Sequence, residues 1–149
     1  MGSTTFILIL LVFGLGVVGW LSARARAAML ARQPAARLHS LPGYHGWYVA
    51  LWLVVPAALF LAVWTNVTPA LITNDVLTSP AAQQLPPPGF ERAAILGEAR
   101  SVAIGEKSVA ANPAAGPFVR PYRESITKFR TIGVVATIAL LLAGGAYAL

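Results

Sequence analysis

The sequence predicts an all-α membrane protein: three transmembrane helices and a long, mostly irregular extracytoplasmic loop that carries a short helix. Composition is the first reason. Of 149 residues, 57% are hydrophobic and 11% charged, which lies outside the usual range of soluble domains. The second is that Phe6 to Ala23, Gly46 to Trp64 and Ile132 to Leu149 contain no Asp, Glu, Lys or Arg. At ~1.5 Å per residue each reaches about 27 to 29 Å, close to a hydrocarbon core of ~30 Å. The third is continuity, because strands of a membrane barrel would alternate over about 10 residues and these runs do not.

The chain therefore reads as one membrane module, 1–149: helix 1 over 6–23, a basic loop over 24–45, helix 2 over 46–64, a polar loop over 65–131 and helix 3 over 132–149. Helix 1 is expected to be an uncleaved anchor. Small residues flank Arg24 in cleavage-like spacing, but a secretory signal carries its positive charge before the apolar core, and here it follows. Phe6 stands where a myristoylation motif needs Ser or Thr. Gly14, Gly16 and Gly19 suit close approach to another helix, although none of them makes a GxxxG pair.

Gln33-Pro34 is expected to end helix 1, and Pro42-Gly43 marks a second break. Tyr44, Trp47 and Tyr48 then stand where an aromatic belt belongs, with Trp64 at the far end of helix 2 and Trp20 near the end of helix 1. Pro56, in the middle of helix 2, is expected to kink it. The eight proline residues from Pro69 to Pro121 argue against a compact core in the polar loop. Within that loop Phe90 to Ile104 has helix-forming composition with Gly105 as its stop. Pro121 is placed to start the last helix, which would present Tyr122, Ile126, Phe129 and Gly133 on one face and enter the membrane through an amphipathic collar.

Charge sets the topology. Residues 1–74 contain no acid, and Arg24, Arg26, Arg32 and Arg37 give them +4; beyond them seven basic residues face five acids. Basic residues beside an apolar span act as topology signals and contacts to anionic lipid, and no nucleic-acid partner is expected. Arg120, Arg123, Lys128 and Arg130 compete for the cytoplasmic side, but the segment before them is long enough to weaken the charge rule. The short first loop decides: N-terminus outside, 24–45 inside, 65–131 outside, C-terminus inside. The lipid and interface anchors are Arg24, Arg26, Arg32, Arg37, Tyr44, Trp47, Tyr48 and Trp64.

Chemistry is sparse. The chain has no cysteine, so thiolate ligands and cysteine nucleophiles are excluded. His39 and His45, six positions apart with no acid beside them, read as interfacial residues rather than metal ligands. Glu91, Glu98 and Glu106 each have a basic neighbour and read as part of a solvated helix, not as an acid/base pair. No ionisable residue lies within a span, where proton and ion pathways need one. No enzyme activity, cofactor or metal is expected.

One stretch is more specific. Leu38 to Trp52, LHSLPGYHGWYVALW, preceded by the Arg/Ala-rich 23–37, resembles the signature in the N-terminal membrane extension of PstC-type permease subunits of bacterial phosphate ABC transporters. The likeness continues through Tyr122-Arg123-Glu124-Ser125 and the helix ending Ala143-Gly144-Gly145-Ala146-Tyr147-Ala148-Leu149. It covers most of the chain, is strongest over 38–64 and is weak over 66–120. It implies a multi-pass protein of the bacterial inner membrane whose partners are a second permease subunit, a cytoplasmic ATPase and a phosphate-binding protein. The six-span permease core would follow Leu149, so no phosphate-contacting residue can be assigned. The other class open to such a chain is an accessory subunit of a respiratory or photosynthetic complex.

Overall fold

The computed structural model describes residues 2–31 and 42–148. They form four α-helices: α1 (Gly2–Ala31), α2 (Pro42–Leu77), α3 (Phe90–Ala103) and α4 (Gly116–Ala148). Two short 3₁₀ turns, Pro80–Gln84 and Pro113–Ala115, complete the order, and no strand occurs among the described residues. Three of the helices are long and apolar enough to cross a membrane: Thr5–Met29, Gly46–Leu77 and Pro113–Tyr147. This is the all-α architecture the composition predicts.

The helices run past the apolar segments. Stretches of 32 and 35 residues span about 48 and 52 Å at ~1.5 Å per residue, well over the ~30 Å of a hydrocarbon core. Their surplus length is the polar half of each helix, Thr65–Leu77 in α2 and Gly116–Thr131 in α4. Three expectations change here. Pro42 opens α2 instead of breaking the chain, as a ring with fixed φ can at a first helical turn. Pro69, counted as a break, lies within α2 and lacks one backbone donor without ending the helix, and Pro56 lies within α2 as expected. Pro121 is inside α4, which starts five residues earlier at Gly116, so Pro117 takes the first-turn position. The Gln33-Pro34 helix end, Arg32, Arg37 and His39 lie outside the described residues.

The chain divides into two compact units. The first, Met1–Trp64 with Gly133–Leu149, joins the apolar parts of α1, α2 and α4. Its core is Val12 and Ala23 of α1, Val49, Leu53, Ala57 and Leu61 of α2, and Leu141 of α4. The α2 members recur every four residues and so form one stripe. Lipid is as apolar as these side chains, so close van der Waals fit rather than water exclusion holds the three helices together. Small residues supply that fit. Gly16 meets Val54, Gly19 meets Leu53 and Val49, and Gly144 lies against the backbone of Trp52; Gly14 faces open space.

The second unit, Thr65–Ile132, is what the proline count argued against. It has its own core: Ile72 and Val76 of α2, Ile95 and Ala99 of α3, Ala115, and Phe118 and Tyr122 of α4. The prolines do not prevent it because four of them, Pro69, Pro113, Pro117 and Pro121, are absorbed at or within helical segments, and Pro80 opens a 3₁₀ turn. Expected and observed α3 agree to one residue, and Gly105, at φ +83°, turns the chain after it. Its buried face, Ile95, Ala99 and Val102, has the i, i+4, i+7 spacing of a helix stripe.

Candidate membrane-anchoring and assembly site

Aromatic residues gather at one end of the first unit. α1 brings Trp20 there, α2 brings Trp47, Tyr48 and Trp52 from its first turns, and α4 brings Tyr147 from its last. Trp20 meets Trp47 edge-on with centroids 6.5 Å apart, Tyr48 meets Trp52 at 6.2 Å, and Trp52 meets Tyr147 at 4.5 Å. The Arg24 guanidinium lies 5.1 Å from the centre of the Trp20 ring, one helical turn earlier. Gly46 makes the Trp20 contact possible, since a Cβ there would come 3.1 Å from the Trp20 carbonyl oxygen and closer still to its ring. Tyr44, Trp47 and Tyr48 stay exposed, as do Arg24 and Arg26. Ring and guanidinium groups of this kind suit the water–lipid boundary, where an apolar body and a polar tip are both satisfied.

Trp64 stands apart from that group. It is half-buried, stacks on Phe60 at 5.4 Å and covers Gly133 at the start of the apolar part of α4. Gly133 is therefore small for a reason: a Cβ there would overlap the indole. Thr137, fully buried one turn on, donates its hydroxyl to the Gly133 carbonyl at 2.7 Å, so this polar side chain leaves no bond unmade.

In the second unit α2 and α4 are joined by polar contacts that spacing along the chain does not foreshadow. Lys128 Nζ donates to Asp75 Oδ1 at 2.7 Å, and the buried Ser125 hydroxyl donates to Asp75 Oδ2. Both donors favour the ionised carboxylate, and together they hold Asp75 below its ordinary value of 3.8 against a smaller opposing effect of burial. Burial pushes the Tyr122 hydroxyl above its ordinary value, so it stays protonated beside Thr73, its hydrogen-bond partner. Both groups lie outside the apolar runs 46–64 and 132–149. Asp75 is the first acid in the chain, which is the signal that could have singled it out; its partners, 50 and 53 residues away, had none.

A carboxylate with a lowered folded value contributes stability above its unfolded value and loses it as pH falls through the folded one. The contribution is ~0.2 to 1 kcal/mol, because the Lys128 side chain is 55% exposed. Acidification below pH ~4 is therefore expected to loosen the α2–α4 contact near Asp75. The check is hydrogen exchange across 65–77 and 120–130, with Asp75→Asn already loosened at neutral pH and less sensitive to acid.

Glu98 also does something its neighbours do not suggest. Its carboxylate accepts from the backbone N–H groups of Ala111 and Asn112, tying the segment after α3 back onto the helix. Asn112 Oδ1 in turn accepts from Ala114 N at 2.9 Å and caps the turn that leads into α4. Glu98→Ala is expected to cost about 0.5 to 1.5 kcal/mol, since the two amides lose a charged acceptor but are exposed to water. Faster proteolysis between 104 and 115, with the membrane part unchanged, would register it. Glu91 and Glu106 are exposed, and no metal-ligand cluster occurs among the described residues.

A family model described as "Phosphate ATP-binding cassette transporter" matches residues 7–148. The chain belongs to that family. No curated protein and no solved structure matches it. The family and the three long apolar helices make it a multi-pass membrane component linked to phosphate transport.

Proposed function

We propose that this chain is the N-terminal membrane part of a phosphate ABC transporter permease subunit and serves anchoring and assembly rather than the translocation path. The family match over 7–148 carries the reading. It is supported by spans without ionisable residues, which suit a part that holds position and not one that conducts ions. The partners are then a second permease subunit, a cytoplasmic ATPase and a phosphate-binding protein in the bacterial inner membrane, with lipid around the spans. Affinity purification of the native full-length protein tests it. Co-purification with the ATPase and second permease is expected, together with loss of the assembled complex when 1–149 is removed. A respiratory or photosynthetic complex co-purifying instead would replace the reading.

The orientation proposed is N-terminus outside, with 24–45 inside and 65–131 outside. Charge distribution supports it, because the acid-free first half keeps its four arginines uncompensated. Of the four basic residues at 120–130, Arg120 is held by Glu124 and Lys128 by Asp75. The cysteine-free chain makes the test direct. A membrane-impermeant maleimide applied to intact spheroplasts should label Ser101→Cys and leave Ser40→Cys unlabelled; the reverse pattern inverts the orientation.

A further inference from the structure

The first turns of α4 have two faces. Phe118, Tyr122 and Ser125 are buried, and Ile126 and Phe129 pack beside them. On the other side stand Arg120, Arg123, Thr127 and Arg130, all exposed. Arg120 Nε is paired with Glu124 at 2.8 Å, and Lys128 points to Asp75 at 2.7 Å. Arg123 and Arg130 have no ion-pair partner among the described residues.

Seven residues separate Arg123 from Arg130, which sets them ~20° apart around the helix and about 10 Å apart along it. Between them the Thr127 hydroxyl is turned back onto the Arg123 carbonyl at 2.9 Å and makes no claim on the guanidinium groups. Two residues beyond Arg130 the same helix becomes the apolar run that starts at Ile132.

We propose that Arg123 and Arg130 form a binding face for anionic phospholipid headgroups, in the leaflet where α4 enters the membrane. Three features select this occupant. Guanidinium forks fit phosphate oxygens in pairs. Arg130 sits where a snorkelling side chain reaches the headgroup layer, and Arg123 lies about 10 Å farther out along the same face. Arg120 is already paired on the helix surface with Glu124 and Lys128 with Asp75 of α2, which leaves these two to an outside anion. The inference rests on membrane insertion alone and stands or falls independently of the permease reading.

A single cysteine placed at Thr127 of the full chain and labelled with a fluorophore reads this face locally. The protein is reconstituted into equimolar phosphatidylglycerol and phosphatidylcholine vesicles, with one lipid or the other spin-labelled near its glycerol. Stronger quenching by the phosphatidylglycerol probe is expected. The preference should fall about five-fold with each of Arg123→Gln and Arg130→Gln, whereas Arg120→Gln and Lys128→Gln leave it in place. Equal quenching by the two lipids would overturn the proposal, as would a preference that survives the double variant. Loss of the preference on adding millimolar inorganic phosphate, at ionic strength matched with chloride, would assign the face to free phosphate instead. Retained helical circular dichroism in each variant separates these outcomes from misfolding.

Discussion

Gly144→Leu is expected to separate the apolar halves of α2 and α4 and to destabilise the membrane unit. A Cβ at Gly144 would lie 2.5 Å from the Trp52 carbonyl oxygen and 3.3 Å from its carbon, and both are backbone atoms that cannot rotate away. A larger side chain must push the helices apart, with overpacking costs of about 1 to 3 kcal/mol or more. In lipid no hydrophobic force restores the lost contact. The Trp52–Tyr147 ring contact, at 4.5 Å, would go with it. Thermal inactivation of the full chain in a mild detergent measures the effect, with near-ultraviolet dichroism following the ring pair. Gly14→Leu is the control: nothing lies within 4 Å of its Cβ, so the same enlargement should leave the protein unchanged. Equal sensitivity at the two glycines would show that helix propensity, not the close approach, governs the response.

The second large effect belongs to the other unit. Phe118→Ala removes a ring that is 2% exposed and packed with Ile72, Val76, Ile95, Ala99 and Tyr122. Such truncations cost about 3 to 5 kcal/mol, the upper end where the surroundings cannot collapse into the space. Most of that loss should fall on 65–132. Hydrogen exchange should accelerate in α3 and in 65–77 while 49–61 stays protected. Phe90→Ala is the matching control, since that ring is 91% exposed and its removal should stay within about 0.5 kcal/mol. Protection lost uniformly along the chain would mean that the two units unfold as one.

The two predictions rest on different forces. Around Gly144 the alternative to helix–helix contact is lipid, so geometry decides, and a single methyl group in the wrong place is costly. Around Phe118 a cavity decides: the ring is buried among close neighbours, which fill the space it leaves only in part.

Much of this was legible along the chain. Three uninterrupted apolar runs, a helix stopped by Gly105 and a face through Tyr122, Ile126 and Phe129 are local properties of spacing and composition, and each appears in the fold. The expectation that the polar segment has no compact core failed because prolines were counted as breaks. Pro69 and Pro121 are tolerated inside helices whose neighbours pack against them, and that support is not visible in one dimension.

What the sequence by itself determined is therefore the solvent of each segment: apolar runs without charge have to lie in lipid, whichever way they pack. The tertiary structure alone decided which distant residues meet. Asp75 finds Ser125 and Lys128, Glu98 finds two backbone amides, and Gly144 finds the Trp52 carbonyl. Such pairings depend on the rotation and register of whole helices, which are set by the sum of many contacts and by no residue on its own. For the same reason the four basic residues of 120–130 looked equivalent in sequence. Packing carries Lys128 to Asp75, a surface pair along α4 joins Arg120 to Glu124, and Arg123 and Arg130 are left facing outward without an ion-pair partner among the described residues.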